Sequence, residues 1–76
     1  MLDVHRLRLL RELAARGTIA STAQACSLSA SAVSQQLSLL QREIGAPLLI
    51  KDGRGLLLTE AARVLVSLTV SVIAEL

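Results

Sequence analysis

Residues 29–44, SASAVSQQLSLLQREI, decide the fold of this chain. At about 100° per residue, a helix over this stretch has an apolar face and a polar face. The apolar face carries Val33, Leu37, Leu40 and Ile44, and the polar face carries Ser31, Gln35, Ser38 and Arg42, with Ser34 at its edge. These polar groups can exchange hydrogen bonds in a groove, but none can perform difficult chemistry alone. The stretch therefore predicts a helix that packs through one face and contacts a partner through the other.

Length and composition favour one small domain. The chain has 76 residues, of which 53% are hydrophobic and none is aromatic. Its core must therefore consist of Leu, Val, Ile and Ala, and the hydrophobic content argues against disorder. The net charge of +2 permits an acidic partner without requiring one. We expect Arg8 and Arg16 to be ordinary solvated surface charges.

The reactive residues argue against an enzyme or a metal site. Cys26 and His5 are the only residues of their types, so neither an internal disulfide nor a Cys–His nucleophile pair is expected. We expect no metal, no cofactor and no catalytic residue. The apolar stretch 64–74 is shorter than the roughly 20 residues of a membrane span. Asp3 and Arg6 stand where an export signal would be apolar, so the sequence predicts a cytoplasmic protein without membrane contact.

Two helices are predicted before residue 29. Asp3 is a suitable N-cap for a first helix over about 4–16, and Gly17 suits the position just after its end. Thr18 is then the N-cap of a second helix over 19–26. Both helices are short and end at residues that favour a change of chain direction.

The connection between the second and third helices is a tight turn. Ser27 and Leu28 form it, Leu28 is expected to fill the core beneath it, and Ser29 caps the third helix. Two short helices joined in this way, the second with a polar outer face, are typical of the helix-turn-helix that binds DNA. Other helical hairpins share this pattern, so the motif alone does not decide the function.

A β-hairpin is predicted over 48–58. Gly45 and Pro47 end the third helix, and two apolar runs then flank an Asp-Gly pair, which is a strong hairpin signal. The tip carries the cations Lys51 and Arg54. After a helix-turn-helix we interpret such a hairpin as a wing, whereas alone it would be an ordinary exposed turn with solubilising charges.

The last segment, 60–76, carries mixed signals. Polar residues at near-four spacing fit a helix, whereas the alternation and β-branched residues between 64 and 73 favour a strand. We predict a helix, because a lone strand has no evident partner. A helix that is apolar nearly all round needs cover on two sides, which predicts a second copy of the chain. The expected dimer contacts are apolar residues of the first and last helices: Leu2, Leu9, Leu13, Leu65, Leu68, Val72 and Leu76.

A set of motifs in a fixed order spans most of the chain. They are Leu7-x-x-Leu10-x-x-Leu13, Gly17-Thr18-Ile19, Ala23, Ser29-x-Ser31-Ala32-Val33-Ser34-x-Gln36-Leu37, Leu39-Leu40, Ile44-Gly45, Leu48-Leu49-x-Lys51, Arg54-Gly55 and Leu58-Thr59-x-Ala61. Together they resemble the N-terminal winged helix-turn-helix domain of LysR-type transcriptional regulators. The resemblance covers about Val4 to Ala62 and continues more loosely to Leu76. The chain departs from the family pattern at Thr22, Cys26, Gln41, Lys51 and Ala62.

The resemblance implies a mainly α fold with a small β-hairpin: a three-helix winged helix-turn-helix with a two-stranded wing, then a linker helix. It divides the chain into a DNA-binding domain, 1–58, and a linker and dimerisation helix, 59–76. The recognition helix, about 29–45, would enter the major groove of double-stranded DNA, and the wing, 48–58, would follow the backbone toward the minor groove. The implied protein is a nucleoid-associated transcriptional regulator, a homodimer through its last and first helices. The family's small-molecule-sensing domain is not among these residues, so no effector site is expected here.

The start of the third helix holds the expected base contacts: Ala30, Ser31, Ser34 and Gln35. The expected contacts to the DNA backbone are Ser29, Gln36, Arg42, Lys51 and Arg54. Capping or plain solvent exposure is the alternative for Ser31 and Ser34, and Gln36 lies near the core edge. A competing interpretation is a helical dimerisation or adaptor module without nucleic-acid binding. That interpretation leaves the polar helix face and the cationic hairpin tip unexplained.

Overall fold

The chain folds as four helices and one β-hairpin. The computed structural model describes residues 3–52 and 55–75, and side chains are described over 3–51 and 56–69. In chain order the elements are α1 (Val4–Arg16), α2 (Ile19–Cys26), α3 (Ala30–Ile44), β1 (Leu49–Asp52), β2 (Gly55–Leu58) and α4 (Glu60–Glu75). The prediction of a mainly α winged helix-turn-helix followed by a further helix is confirmed.

Local capping defines where the first three helices begin and end. Each begins at a side-chain oxygen that accepts a backbone N–H: Asp3 from His5 at 2.8 Å, Thr18 from Ser21 at 3.1 Å, and Ser29 from Ala32 at 3.0 Å. Each ends at a left-handed residue, namely Gly17, Ser27 and Gly45. Ser27, at φ 56°, supplies the left-handed conformation that glycine usually provides in such a turn.

One apolar core lies where α1 packs against α2, α3 and α4. Its fully buried members include Leu10, Val33, Leu37 and Leu40, which confirms the apolar face predicted for α3. Thr22, which is polar and fully buried, is satisfied within α2 because its hydroxyl donates to the Thr18 carbonyl at 2.8 Å. The small helix α2 can therefore sit close to its neighbours without an unpaired polar group.

The expectation that Leu28 fills the core is wrong, since this residue is 42% exposed. Its N–H donates to the Ala23 carbonyl at 2.9 Å, which closes the turn after the left-handed Ser27. The turn so closed directs the Leu28 side chain to a surface cleft that it shares with His5. The sequence pattern could not show this direction, because it depends on the exact backbone path of the turn.

The hairpin is a two-stranded antiparallel sheet in which Ile50 pairs with Leu57 and Lys51 with Leu56. Side chains alternate between its faces, so Ile50 and Leu57 project together and are exposed. The other face carries Leu49 and Leu56, which pack against the core. This arrangement places Lys51 on the face of the hairpin that is turned toward α3.

The last segment is a helix, as predicted, and not a strand. Thr59 caps it by accepting the Ala62 N–H at 3.2 Å, and the Thr59 hydroxyl donates to the Pro47 carbonyl at 2.7 Å. Ala62 is fully buried, and Thr69 is satisfied within the helix through the Leu65 carbonyl at 2.7 Å. Packing on α1 thus overrides the strand propensity of the β-branched residues. No helix in the described part of the chain is both long and apolar enough to cross a membrane.

Candidate nucleic-acid interface

The first two turns of α3 form an exposed polar surface. Ala30, Ser31, Ser34 and Gln35 are all exposed, and no side-chain hydrogen bond engages the last three within the described residues. The helix cap is Ser29 instead, which removes capping as an explanation for Ser31 and Ser34. These groups are free to bond with something outside the chain.

The residues expected to contact a DNA backbone differ in exposure and in whether the chain already uses their polar groups in hydrogen bonds. Ser29 is exposed, and its Oγ already accepts the Ala32 N–H, which leaves its hydroxyl proton to donate. Arg42 and Lys51 are exposed at the end of α3 and on β1. Arg54 lies outside the described residues.

Gln36 is half-buried at the contact between α1 and α3. Its Oε1 accepts a hydrogen bond from Arg6 Nε at 2.8 Å, and Arg6 Nη1 pairs with Glu43 Oε1 at 2.7 Å. Arg6 therefore ties the start of α1 to two turns of α3. The bond to Arg6 fixes the orientation of the Gln36 amide, and its NH₂ group, which has no partner among the described residues, can donate to an external acceptor.

A cleft of about 540 Å³ separates α3 from the hairpin. Its rim includes Thr18 and Ile19 at the start of α2, Ser34 and Ser38 on α3, and Lys51 on β1. The exposed front of α3 is thus bordered on this side by a helix start and a cation. Both favour a negatively charged partner.

Gln41 holds the hairpin to α3, a role that the sequence pattern does not reveal. Its Oε1 accepts the N–H groups of Leu48 at 2.8 Å and Leu49 at 3.1 Å. Both bonds satisfy backbone donors where the chain enters β1.

The expected dimer contacts divide into three groups. Leu9 and Leu13 are only 6% and 3% exposed within one chain, so this expectation is wrong for them: they form the core between α1 and its neighbours. Leu65 is half-buried, whereas Leu68 and Val64 on α4 are 59% and 52% exposed. The remaining residues, Leu2, Val72 and Leu76, lie outside the described side chains.

Acidic and metal-binding groups are sparse on this surface. Within residues 3–52 and 55–75, no three or more His, Cys, Asp or Glu side chains gather closely enough to hold a metal ion. The ion pairs among them are Arg6–Glu43 and Arg16–Glu12. The front of α3, formed by Ala30, Ser31, Ser34 and Gln35, contains no carboxylate, so that surface is polar and without negative charge.

Comparison with known proteins agrees with this geometry. The family model described as "Bacterial regulatory helix-turn-helix protein, lysR family" matches residues 4–63. A search of curated proteins found no match.

Among solved structures, the full-length LysR-type regulator LysG from Corynebacterium glutamicum is 27% identical, with a TM-score of 0.88 over 97% of this chain and 26% of LysG. The DNA-binding domain of CbnR in complex with DNA is 22% identical, with a TM-score of 0.89 over 96% of this chain and 84% of that chain. The DNA-binding domain of BenM in complex with catB site 1 DNA is 16% identical, with a TM-score of 0.90 over 97% of this chain and 82% of that chain. The two DNA complexes are similar in fold, and this chain spans about a quarter of full-length LysG.

The family match over residues 4–63 includes the helix-turn-helix and the hairpin after it, and so covers most of the chain. The chain belongs to the LysR family of bacterial regulatory helix-turn-helix proteins.

Proposed function

We propose that this domain binds double-stranded DNA with sequence preference and serves a transcriptional regulator. The observation that carries the proposal is the exposed front of α3, where Ser31, Ser34 and Gln35 have no side-chain hydrogen bond within the described residues. A polar surface of this shape, on a helix held by its apolar back, suits the major groove, which admits one α-helix. No residue in it suggests catalysis, and we propose none.

The start of α3 supplies the base contacts. The Gln35 amide can pair with N6 and N7 of adenine, and the Ser31 and Ser34 hydroxyls can serve either member of a base pair. The Ala30 methyl suits the methyl group of thymine. These side chains are short, so the helix must lie deep in the groove to use them.

The backbone contacts surround this front. Ser29 caps α3, Arg42 lies in its last turn, and Lys51 lies across the cleft on β1. We add Arg54 from the sequence alone. Gln36 can contribute through its NH₂ group, because a phosphate oxygen needs a donor and the Gln36 oxygen faces Arg6. Such contacts orient the domain but carry no sequence information.

We further propose a homodimer in which α4, within the linker segment 59–76, is the contact between copies. The support is the apolar surface that one chain leaves open on this helix, at Val64 and Leu68. The contribution proposed for α1 is limited to residues that its own core does not use. A two-fold dimer would place two α3 helices about 34 Å apart on one side of the duplex.

The relatives support these assignments. The CbnR and BenM domains of similar fold are described as complexes with DNA. A DNA target would place this domain in the bacterial cytoplasm, at the nucleoid. We propose no effector site within these 76 residues.

Selection of bound sequences from random duplex DNA tests the proposal. We expect an enriched site with two-fold symmetry and half-sites separated by about one helical turn. Enrichment without symmetry would contradict the dimer but not DNA binding. No retention of any duplex at low salt would contradict the function itself and favour a dimerisation or adaptor module.

A further inference from the structure

A second cleft lies on the flank of α3 opposite the hairpin. It has a volume of about 480 Å³ and is formed by the start of α1, the turn between α2 and α3, and α3 itself. Its polar lining groups are His5 and Arg8, both exposed, and Gln36, and none of its lining residues carries a carboxylate. The cleft therefore presents positive charge and hydrogen-bond donors beside the front of α3.

The orientation of the Gln36 amide adds a second observation. A guanidinium group has donors only, so the Gln36 atom that contacts Arg6 Nε must be the oxygen. The Nε2 of Gln36 makes no hydrogen bond with any other described residue. Its two N–H groups are left to donate at the cleft, and Arg6 prevents the amide from turning its oxygen there.

Groove geometry indicates what these donors meet. The major groove is about 12 Å wide, and a helix with its side chains is about 10–12 Å across. A helix inserted in the groove therefore has a row of phosphates on each flank. Lys51 and Thr18 stand on one flank of α3, whereas Arg8, His5 and Gln36 stand on the other.

We infer that the cleft formed by His5, Arg8 and Gln36 binds a phosphate of the DNA strand opposite the one that the hairpin contacts. This inference rests on the proposed DNA binding and adds a second anchor to it. Arg8 supplies the charge, the Gln36 amide supplies directed donors, and Arg6 is a positioning residue for that amide. Arg8 is then a ligand residue and not the plain solvated charge expected from the sequence.

Arg16 offers a matched control on the same helix. It is an exposed arginine eight residues after Arg8, which places it about 12 Å further along α1. Its Nε is bound to Glu12 Oε2 at 2.9 Å. Loss of Arg16 removes the same formal charge as loss of Arg8 but leaves the proposed phosphate site intact.

The experiment measures binding of the 76-residue chain to its selected duplex over a range of salt concentrations. We compare the unmodified chain with Arg8→Ala, Arg8→Lys and Arg16→Ala, and confirm folding by circular dichroism. Because one phosphate contact contributes about 0.9 to the slope of log K against log salt, Arg8→Ala should lower the slope by about 0.9 per protomer. Arg8→Lys should retain most of the slope, and Arg16→Ala should leave it unchanged.

Ethylation interference then identifies the strand. In Arg8→Ala, one phosphate per half-site should lose its interference signal, on the strand opposite the phosphate that Lys51→Ala loses. Equal slopes for Arg8→Ala and Arg16→Ala would overturn the inference, as would loss of the same phosphate in Arg8→Ala and Lys51→Ala. Failure of the unmodified chain to bind any duplex would instead overturn the proposed function, so the two failures are distinguishable.

Discussion

The substitution Gln41→Ala should lower the free energy of unfolding far more than the same substitution at an exposed glutamine. The side-chain oxygen of Gln41 accepts the N–H groups of both Leu48 and Leu49, at 2.8 and 3.1 Å. These bonds lie where the chain leaves α3 and enters the hairpin, so both strands depend on them for their position. Alanine removes the acceptor and supplies nothing in its place.

The expected cost follows from the burial of the two donors. Leu48 is 1% exposed, so its N–H cannot turn to water, and stranding a buried donor costs about 1–3 kcal/mol. Leu49 is half-buried, and a bond of that kind contributes about 0.5–1.5 kcal/mol. Alanine returns at most about 0.7 kcal/mol of helix propensity. We therefore expect a loss of about 2 kcal/mol in the free energy of unfolding.

Urea and thermal unfolding measure this loss of stability. All variants are compared at one protein concentration, because the stability of a dimer depends on concentration. For a domain of this size, about 2 kcal/mol corresponds to a fall of roughly 10 °C in Tm. Amide exchange should also become faster at Leu48 and Leu49. Gln41→Glu keeps an oxygen acceptor and should retain stability.

Gln35→Ala is the matched control, because it makes the same substitution on the same helix at an exposed side chain without a described intramolecular bond. It should leave the unfolding free energy within about 0.5 kcal/mol of the original, as surface substitutions usually do. If Gln41→Ala is as stable as Gln35→Ala, the two hydrogen bonds do not hold the hairpin and the reasoning is refuted.

Three further predictions concern DNA binding and assembly. Gln35→Ala should change base preference at one position per half-site by about 1–3 kcal/mol in a binding-site selection; an equal loss on every sequence would make Gln35 a backbone contact. Lys51→Ala should weaken binding to selected and unrelated duplexes alike and lower the salt slope by about 0.9 per protomer; an unchanged slope would remove the hairpin from the interface. Leu68→Glu places a charge on the exposed face of α4 and should give folded monomers in sedimentation. Glu60→Gln on the same helix is the control and should leave the dimer intact. A persistent dimer in Leu68→Glu would show that α4 is not the contact.

The sequence by itself determined the elements and their order. Asp3, Thr18 and Ser29 cap helices within three residues of themselves, and Gly17 and Gly45 end them, so neighbouring residues contain the whole signal. The hairpin follows in the same way from Asp-Gly between two apolar runs. The exposed front of α3 was also predictable, because helical periodicity separates it from the buried Val33, Leu37 and Leu40.

Only the tertiary structure decided which surface groups remain free. Arg6 reaches Gln36 across 30 positions of sequence, and Gln41 reaches forward to Leu48, and no local pattern encodes either contact. Packing of α1 against the other helices of its own chain buries Leu9 and Leu13, which the apolar pattern of the sequence had assigned to a dimer interface. The physical reason is that caps and turns depend on a few adjacent residues, whereas burial and side-chain partners depend on how whole elements meet. The polar face of α3 was therefore predictable from the sequence, whereas the hydrogen-bond donors on its two flanks are set by the packing of α1 and the hairpin beside it.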